Sequence, residues 1–226
     1  MAAFALAVQA GADAIELDAQ LTADDELVVF HDLTLSRSTD GAGRVPEKQL
    51  AELSKLDAGG RSGAEFRGQR IPRLEEVLAA FATKVLFNIH LKSYPHSRPG
   101  LVKHVCVLIR TQGLQGRTFL SSFNPSDLRQ AARMLPEVPC CLLAARGWLG
   151  AWARSFGFSF GDYAALHPHF MDVSPQQVVR VHRLGRRLHA WTVNEGSQVA
   201  RLAEWGVDGI LTDDPAGALQ ALGRAL

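Results

Sequence analysis

The chain has 226 residues, 21% of them charged, and a net charge of +1 at pH 7. This near-neutral balance gives no electrostatic attraction to nucleic acid or to an anionic membrane surface, so we expect small-molecule partners. No apolar run approaches the roughly 20 residues of a membrane span, and the N-terminus lacks a signal-peptide pattern, which favours a cytoplasmic location. The three cysteines match no metal spacing or disulfide framework, and we expect them to be reduced core residues.

Helices and strands alternate along most of the chain. After an Ala-rich helix over Met1 to Ala10, two short strands joined by a polar turn form a hairpin over Ala14 to Phe30. Further helices are predicted over Pro46 to Leu53, Pro72 to Ala82, Gly100 to Thr111, Pro125 to Met134, Pro175 to Leu184, Ser197 to Trp205 and Pro215 to Leu222. Further strands are predicted over Val85 to Leu91, Thr118 to Ser121, Pro139 to Leu143, Ala164 to Leu166, Arg187 to Val193 and Gly209 to Thr212. This alternation indicates βαβ units and a parallel sheet.

Polar residues lie just past the ends of many predicted strands. They are Asp18, Lys92, Ser121, Ser122, His167, Asn194 and Asp213. A TIM (β/α)8 barrel assembles its active site from the loops at these strand ends, whereas a dinucleotide-binding sheet would carry a Gly-rich fingerprint that no strand here shows. We therefore predict an α/β fold, a single TIM barrel domain over residues 1–226. Seven barrel strands are found, and we expect the eighth to precede Met1.

The stretch from Ala14 to Asp32 carries two polar pairs on one unit. Glu16 and Asp18 stand two apart on a strand, so their side chains share a face, with Cα atoms roughly 7 Å apart. Two such carboxylates repel each other and are costly to desolvate, which predicts a hard divalent cation between them, Mg²⁺ or Ca²⁺. His31 and Asp32 end the second strand. The alternative is an exposed hairpin whose polar residues face water, but two pairs together favour a site.

Four motifs resemble, in order, the glycerophosphodiester phosphodiesterase family. They are E-x-D at Glu16 and Asp18, H-D at His31 and Asp32, S-S-F-N-P at Ser121 to Pro125, and W-T-V-N followed by G-V-D-G-I-L-T-D between Trp191 and Asp213. The resemblance implies a TIM barrel that hydrolyses glycerophosphodiesters to glycerol 3-phosphate and an alcohol. It also implies a divalent cation and two histidines that act as acid and base.

The resemblance assigns roles to residues of this chain. His31 resembles one of the catalytic histidines, and Glu16 and Asp18 resemble metal ligands. Lys92, Phe123 and Trp191 resemble substrate-binding residues. The residues alone leave two alternatives open, a solvated strand-end lysine for Lys92 and a core position for Trp191. The chemistry is consistent, because a cation and a lysine neutralise a phosphodiester while an imidazole protonates its leaving oxygen.

The chain departs from the family at two places. The family's first strand, which ends in H-R-G and is followed by a P-E-N segment, has no counterpart, and with it go a second histidine, an arginine and a further acidic residue. We expect Met1 to be internal to a longer protein, and the incomplete barrel to dimerise through its open edges. At His90 the family usually carries a glutamate. Either His90 completes the metal site and shifts it toward Zn²⁺ or Mn²⁺, or it is a hydrogen-bonded histidine that binds no metal.

These departures keep two other functions open. One is a catalytically inactive relative that acts as a binding or regulatory protein. The other is a TIM-barrel enzyme that uses the acidic pair for a metal-stabilised enolate, against which the H-D and W-T-V-N motifs argue. Lysophospholipids join glycerophosphodiesters as expected substrates. Outside the motifs, loop residues Arg37 and Arg44 are candidates for phosphate contacts and His167 for the pocket border. We expect surface or helix positions for His96, His104, His182 and His189.

Overall fold

The protein is an α/β structure built on a single curled sheet. The structure is a computed structural model that describes residues 1–93 and 97–224. Its strands are β1 (Ala14–Leu21), β2 (Leu27–Val29), β3 (Leu86–Leu91), β4 (Thr118–Ser122), β5 (Cys140–Ala144), β6 (Ala165–Pro168), β7 (Arg187–Ala190) and β8 (Gly209–Ile210). Its helices are α1 (Ala2–Gln9), α2 (Leu50–Leu53), α3 (Leu74–Phe81), α4 (Leu101–Thr111), α5 (Pro125–Met134), α6 (Phe158–Phe160), α7 (Pro175–Arg183), α8 (Gly196–Glu204) and α9 (Pro215–Ala221).

Seven strands run parallel, in the order in which they occur along the chain. The sheet order is β2-β1-β3-β4-β5-β6-β7-β8, and β2 alone is antiparallel, paired with the last residues of β1. Within residues 1–93 and 97–224, β8 pairs with β7 and not with β1, so the barrel is open between these two strands. The predicted TIM-type fold, with seven barrel strands and a hairpin addition, is confirmed.

Alternation along the strands separates an apolar face from a polar one. On β3, Phe87, Ile89 and Leu91 belong to the main core, which also contains buried residues of the surrounding helices. The intervening residues Asn88 and His90 face the opposite side of the sheet, the interior of the barrel. The helix side therefore supplies the hydrophobic core, and the barrel interior remains available for polar side chains.

Several predicted helices begin where their sequence signals lie. Asn124 caps α5 by accepting a hydrogen bond from the Ser126 N–H at 3.1 Å, and Pro125 occupies the first helical position. Ser174 and Asp214 cap α7 and α9 in the same way, each followed by proline. A proline at this position loses no hydrogen bond, because the first N–H groups of a helix have no partner within it.

One helical segment was not predicted. Residues 147–160 form a continuous helical segment of mixed 3-10, α and π geometry between β5 and β6, where the sequence predicted no helix. Gly150 in this segment permits a close backbone contact, because a Cβ there would lie 1.8 Å from the Ala145 carbonyl oxygen. Of the helices in the described part of the chain, none has the length and apolar character needed to cross a membrane.

The separation of faces on β3 predicts different costs for two neighbouring truncations. Phe87 is fully buried, so Phe87→Ala should lower the free energy of unfolding by about 3–5 kcal/mol. Leu86 precedes it on the same strand and is 41% exposed, so Leu86→Ala should cost less than about 1 kcal/mol. Urea unfolding of both variants measures the difference, and equal losses would contradict the assigned faces.

Candidate active site

Three potential metal ligands meet at the C-terminal ends of β1 and β3. One ligand atom from each of Glu16, Asp18 and His90 lies within 4.8 Å of the others. The strand register explains this proximity, because Asp18 on β1 pairs with His90 on β3, and Glu16 lies two residues before Asp18 on the same face. The structure thus brings together the three residues that the sequence selected as metal ligands.

One carboxylate of the cluster, Asp18, contacts both His90 and Lys92. The His90 Nδ1 lies 2.7 Å from Asp18 Oδ1, and the Lys92 Nζ lies 3.1 Å from the same oxygen. Glu16 is farther away, with 3.9 Å between its Oε1 and His90 Nδ1. Asp18, His90 and Lys92 are buried, whereas 37% of the Glu16 side chain is exposed. The site therefore has a buried anchor and an accessible carboxylate.

The protonation states follow from this arrangement. Desolvation pushes the pKa of Asp18 upward, but the hydrogen bond from His90 and the charges of His90 and Lys92 outweigh it and lower the pKa. Desolvation lowers the pKa of His90, in spite of its contact with Asp18. Desolvation and the neighbouring Asp18 charge raise the pKa of Glu16. A cation placed between the two carboxylates would reverse the shift of Glu16.

The donor set fits a divalent cation. His90 Nδ1 faces both carboxylates, 2.7 Å from Asp18 Oδ1 and 3.9 Å from Glu16 Oε1, so it is the ring nitrogen that would bind a cation in place of its hydrogen bond to Asp18. Two carboxylates and one neutral imidazole are ligands that Mn²⁺ and Zn²⁺ accept, and the carboxylates suit Mg²⁺ or Ca²⁺ as well.

His31 lies at the rim of this cluster and is oriented by its sequence neighbour. Its Nδ1 is 2.9 Å from Asp32 Oδ1, and 69% of its side chain is exposed. Asp32 is buried and also accepts hydrogen bonds from Arg37 and Ser38. The bond from Arg37 is the main reason that the pKa of Asp32 lies well below its usual range. Because an ionised Asp32 can only accept, it favours the proton of a neutral His31 on Nδ1 and leaves Nε2 with its lone pair.

Hydrogen bonds and a small hydrophobic core fix the backbone on either side of His31. The Gln20 side-chain nitrogen donates to the carbonyl oxygens of Phe30 at 2.6 Å and Asp32 at 3.1 Å. A second, small hydrophobic core packs beneath the loop that follows His31; its buried members are Val28, Phe30, Leu35, Val45, Leu53 and Ile71. The hairpin and its loop are therefore a fixed platform for His31.

Two aromatic side chains form a wall beside the candidate metal ligands. The Phe123 ring lies 5.6 Å from the His90 ring and 5.9 Å from the Trp191 ring, measured between centroids. Trp191 is half-buried, and its Nε1 donates to the His167 carbonyl oxygen at 2.7 Å. Phe123 and Trp191, both expected at the pocket from the sequence, lie together with His90 at the same strand ends.

Other candidates lie elsewhere or have other partners. Arg37 binds Asp32, and Arg44 pairs with Glu47 at 3.1 Å. His96 lies outside the described residues, while His104 and His182 lie on helices as expected. His189 does not: it lies on β7 inside the barrel, with its Nδ1 2.9 Å from the Nε2 of the fully buried His167. The expected surface or helix position of His189 was wrong, because strand alternation places it on the interior face.

Sequence reasoning assigned no role to Asp32 and Arg37 beyond the H-D motif and a phosphate contact. The spacing of His31, Asp32 and Arg37 is the signal that could have revealed them, because a buried carboxylate beside a histidine needs a second cationic partner. Ser121 and His167 were expected near strand ends, whereas Asn88 was assigned no role. Within the described part of the chain, Asn88 Oδ1, Ser121 Oγ and His167 Nδ1 are buried in the barrel without a hydrogen-bond partner.

Comparisons with known proteins agree on one family. The sequence pattern of the Glycerophosphoryl diester phosphodiesterase family matches residues 1–217. A glycerophosphodiester phosphodiesterase of Caldanaerobacter subterraneus subsp. tengcongensis is 39% identical over 95% of this chain and 88% of its own length. An Oleispira antarctica phosphodiesterase, solved in complex with the product sn-glycerol-3-phosphate, superposes with a TM-score of 0.84 at 30% identity, over 98% of this chain and 90% of that one. A glycerophosphodiester phosphodiesterase from Agrobacterium tumefaciens gives a TM-score of 0.82 at 26% identity, over 96% and 90%.

The buried histidine pair predicts a loss of stability in acid. Desolvation lowers the pKa of His189 to about 4 and that of His167 well below its ordinary value. In the unfolded chain both protonate near pH 6.5, so the unfolded state binds more protons and stability falls as the pH drops from about 6.5 toward 4. Urea midpoints across this range should fall less steeply for His189→Gln. His104→Gln, which alters a histidine on the outside of α4, should keep the wild-type slope, and an unchanged slope in both variants would contradict the assignment.

Proposed function

The chain belongs to the glycerophosphoryl diester phosphodiesterase family, and on this premise we propose that it hydrolyses glycerophosphodiesters to sn-glycerol 3-phosphate and an alcohol. One observation carries the proposal: Glu16, Asp18 and His90 converge within 4.8 Å beside Lys92, at the end of the barrel where His31 also lies. The group combines anionic metal ligands, a buried cation and an exposed imidazole. Hydrolysis of a phosphodiester needs these three functions.

Glu16, Asp18 and His90 would hold the divalent cation. When bound, the cation supplies positive charge that offsets the charge of the phosphate. Mg²⁺ or Ca²⁺ is the ion we propose first, because two oxygen ligands suit hard cations, with Mn²⁺ or Zn²⁺ as the alternatives that the His90 nitrogen favours.

Lys92 binds the phosphate in this proposal. Its Nζ lies 3.1 Å from Asp18 Oδ1 and is buried, so its charge acts in a medium that screens it less than water does. The ammonium group also fixes Asp18, which keeps one metal ligand in place before substrate arrives. Lys92 therefore contributes both to binding the anion and to the geometry of the ligands.

His31 gives a proton to the leaving oxygen. In hydrolysis a water oxygen bonds to phosphorus and releases a proton while the bond between phosphorus and the alcohol oxygen breaks, and a protonated imidazole can supply the proton that the departing alkoxide needs. Asp32 holds the ring through Nδ1 and stabilises the positive charge of the imidazolium form. Asp32 is thus a positioning residue, and His31 is the group that touches the reacting atoms.

The aromatic wall of Phe123 and Trp191 contacts the substrate beside the phosphate. Phe123 is 46% exposed and lies against His90, so a glycerol or alcohol chain bound there covers its ring. A wall of this kind accepts apolar chains as readily as small alcohols. We propose lysophospholipids as substrates on the same basis.

Three further proposals concern the protein as a whole. Residues 1–226 form a single domain, and its place of action is the cytoplasm. Two chains associate through the open edges of the sheet, a proposal supported by the unpaired backbone of β8 and of the first residues of β1 in the described part of the chain.

Release of sn-glycerol 3-phosphate from glycerophosphocholine tests the catalytic proposal. The purified chain should release it with added Mg²⁺ or Mn²⁺ and stop when EDTA is added. His31→Ala should lower kcat by about 10²–10⁴-fold, because the proton donor is lost. Asp32→Asn should lower kcat less and leave KM nearly unchanged, because it misorients the donor without removing it.

His104→Ala serves as the matched control, since it removes a histidine on α4 and should retain full activity. Turnover by wild type that survives His31→Ala would contradict the role of His31. A folded wild-type chain with no turnover at any metal concentration would contradict the catalytic proposal and favour a binding or regulatory relative.

A further inference from the structure

The helical segment between β5 and β6 exposes an unusual number of large apolar side chains. Their exposed fractions are 84% for Trp148, 68% for Leu149, 58% for Trp152, 67% for Phe156 and 84% for Phe160. We refer to these five residues as the aromatic stripe. From Leu149 onward they recur every three or four positions, which places them along one face of the segment, over about 16 Å. An exposed apolar surface of this size normally marks an interaction site.

The stripe is held outward by contacts beneath it. The Arg154 guanidinium lies 3.0 Å from Asp172 Oδ2 and donates to the carbonyl oxygens of Ala145 and Gly147, both at 2.7 Å. Phe158, on the opposite face, is buried and stacks on Tyr163 at 6.1 Å between ring centroids. The exposure of the stripe is therefore built into the packing of the segment and does not result from a loose chain end.

The first residues of the segment are tied to the side of the active site. The Gly147 N–H donates to Asp172 Oδ2 at 2.7 Å, which joins the start of the segment to the loop after β6. In that loop, the Phe170 N–H donates to the Trp191 carbonyl oxygen at 2.8 Å, and the His169 ring lies 5.4 Å from the Trp191 ring. Met171, which follows Phe170 in this loop, is 57% exposed. These contacts connect the start of the segment, through the loop after β6, to Trp191 in the aromatic wall.

Arginines outnumber carboxylates around the stripe. Between residues 144 and 163 the chain carries Arg146 and Arg154 and one acidic residue, the exposed Asp162. Arg154 is neutralised by Asp172, whereas Arg146 is exposed. The exposed Arg180 of α7 lies alongside, with its Nη2 2.7 Å from Ser159 Oγ and 3.1 Å from the Ser155 carbonyl oxygen. Although the whole chain is nearly neutral, the border of the stripe is cationic.

We propose that the aromatic stripe docks this protein on an anionic lipid surface. Tryptophan and phenylalanine on one face of a helix, with arginines at its border, is the pattern of segments that lie in the plane of a membrane interface. The arginines match anionic headgroups, and the rings enter the boundary between headgroups and acyl chains. Docking on lipid does not depend on catalysis. The benefit of docking rests on the proposed function: a lysophospholipid could pass from the lipid surface to the aromatic wall of the active site.

A second copy of the chain fits this surface less well. A two-fold dimer through the stripe would bring Arg146, Arg180 and Asp162 of both copies to the border of one seam, where the excess of positive charge is repulsive. Anionic headgroups neutralise the same arginines. The signs of the charges therefore favour lipid over self-association.

Vesicle sedimentation with the full chain tests the proposal. The wild type should bind vesicles made of equal parts phosphatidylcholine and phosphatidylglycerol more tightly than vesicles of phosphatidylcholine alone, and added salt should weaken the difference. Trp148→Ser/Phe160→Ser removes the two most exposed rings and should weaken binding by about tenfold or more. Leu6→Ser/Val107→Ser, which removes two exposed apolar side chains elsewhere, should bind like the wild type.

Circular dichroism and urea midpoints establish that all three proteins are folded, and analytical ultracentrifugation reports their association state. Failure of the wild type to bind either vesicle would overturn the proposal, as would equal binding by the stripe variant. A wild-type dimer that dissociates in the stripe variant, without any vesicle binding, would identify the stripe as a surface between copies instead. Vesicle binding by a chain that does not hydrolyse glycerophosphocholine would support docking while the catalytic proposal fails.

Discussion

Two carboxylates on one face of a strand determine how this site is built. Glu16 and Asp18 cannot both be ionised in a partly buried position without compensating charge, and the compensation comes from the neighbouring strand. The parallel register that pairs Asp18 with His90 also places Lys92 beside the same carboxylate oxygen. The sheet geometry that the apolar face stabilises therefore fixes the geometry of the candidate metal ligands on the polar face, where desolvation and the Asp18 charge raise the pKa of Glu16.

The hairpin of β1 and β2 carries His31, the proposed proton donor, and orients it through a contact with a carboxylate. His31 is exposed, but its ring contacts the buried Asp32 carboxylate, which also accepts hydrogen bonds from Arg37 and Ser38. The small second hydrophobic core packs beneath the loop that follows His31. Buried Asp32 thus links the stability of the loop to the orientation of the imidazole. The proposed metal ligands and the proposed proton donor occupy one end of the barrel because they lie on or just after the neighbouring strands β1, β2 and β3.

Much of the fold and of the site could be predicted from short-range patterns. Asn124-Pro125 and Ser174-Pro175 mark helix starts because their chemistry acts within a few residues, and the E-x-D spacing assigns two carboxylates to one face because strand alternation is strictly local. Residues 147–160 escaped prediction because their large apolar side chains face outward, so no pattern of burial distinguishes the segment from a loop. His189 escaped because only the curvature of the whole sheet, a long-range feature, turns its strand face into an interior.

Binding of Mn²⁺ to the full chain, followed by electron paramagnetic resonance, tests the central claim most directly. The account predicts one bound ion per chain, whose spectrum changes when sn-glycerol 3-phosphate is added. Glu16→Gln, which removes the accessible carboxylate and leaves Asp18, His90 and Lys92 in contact, should abolish tight binding. Absence of a bound ion in the folded wild type, or an unchanged affinity in Glu16→Gln, would contradict the assignment of this cluster as the metal centre.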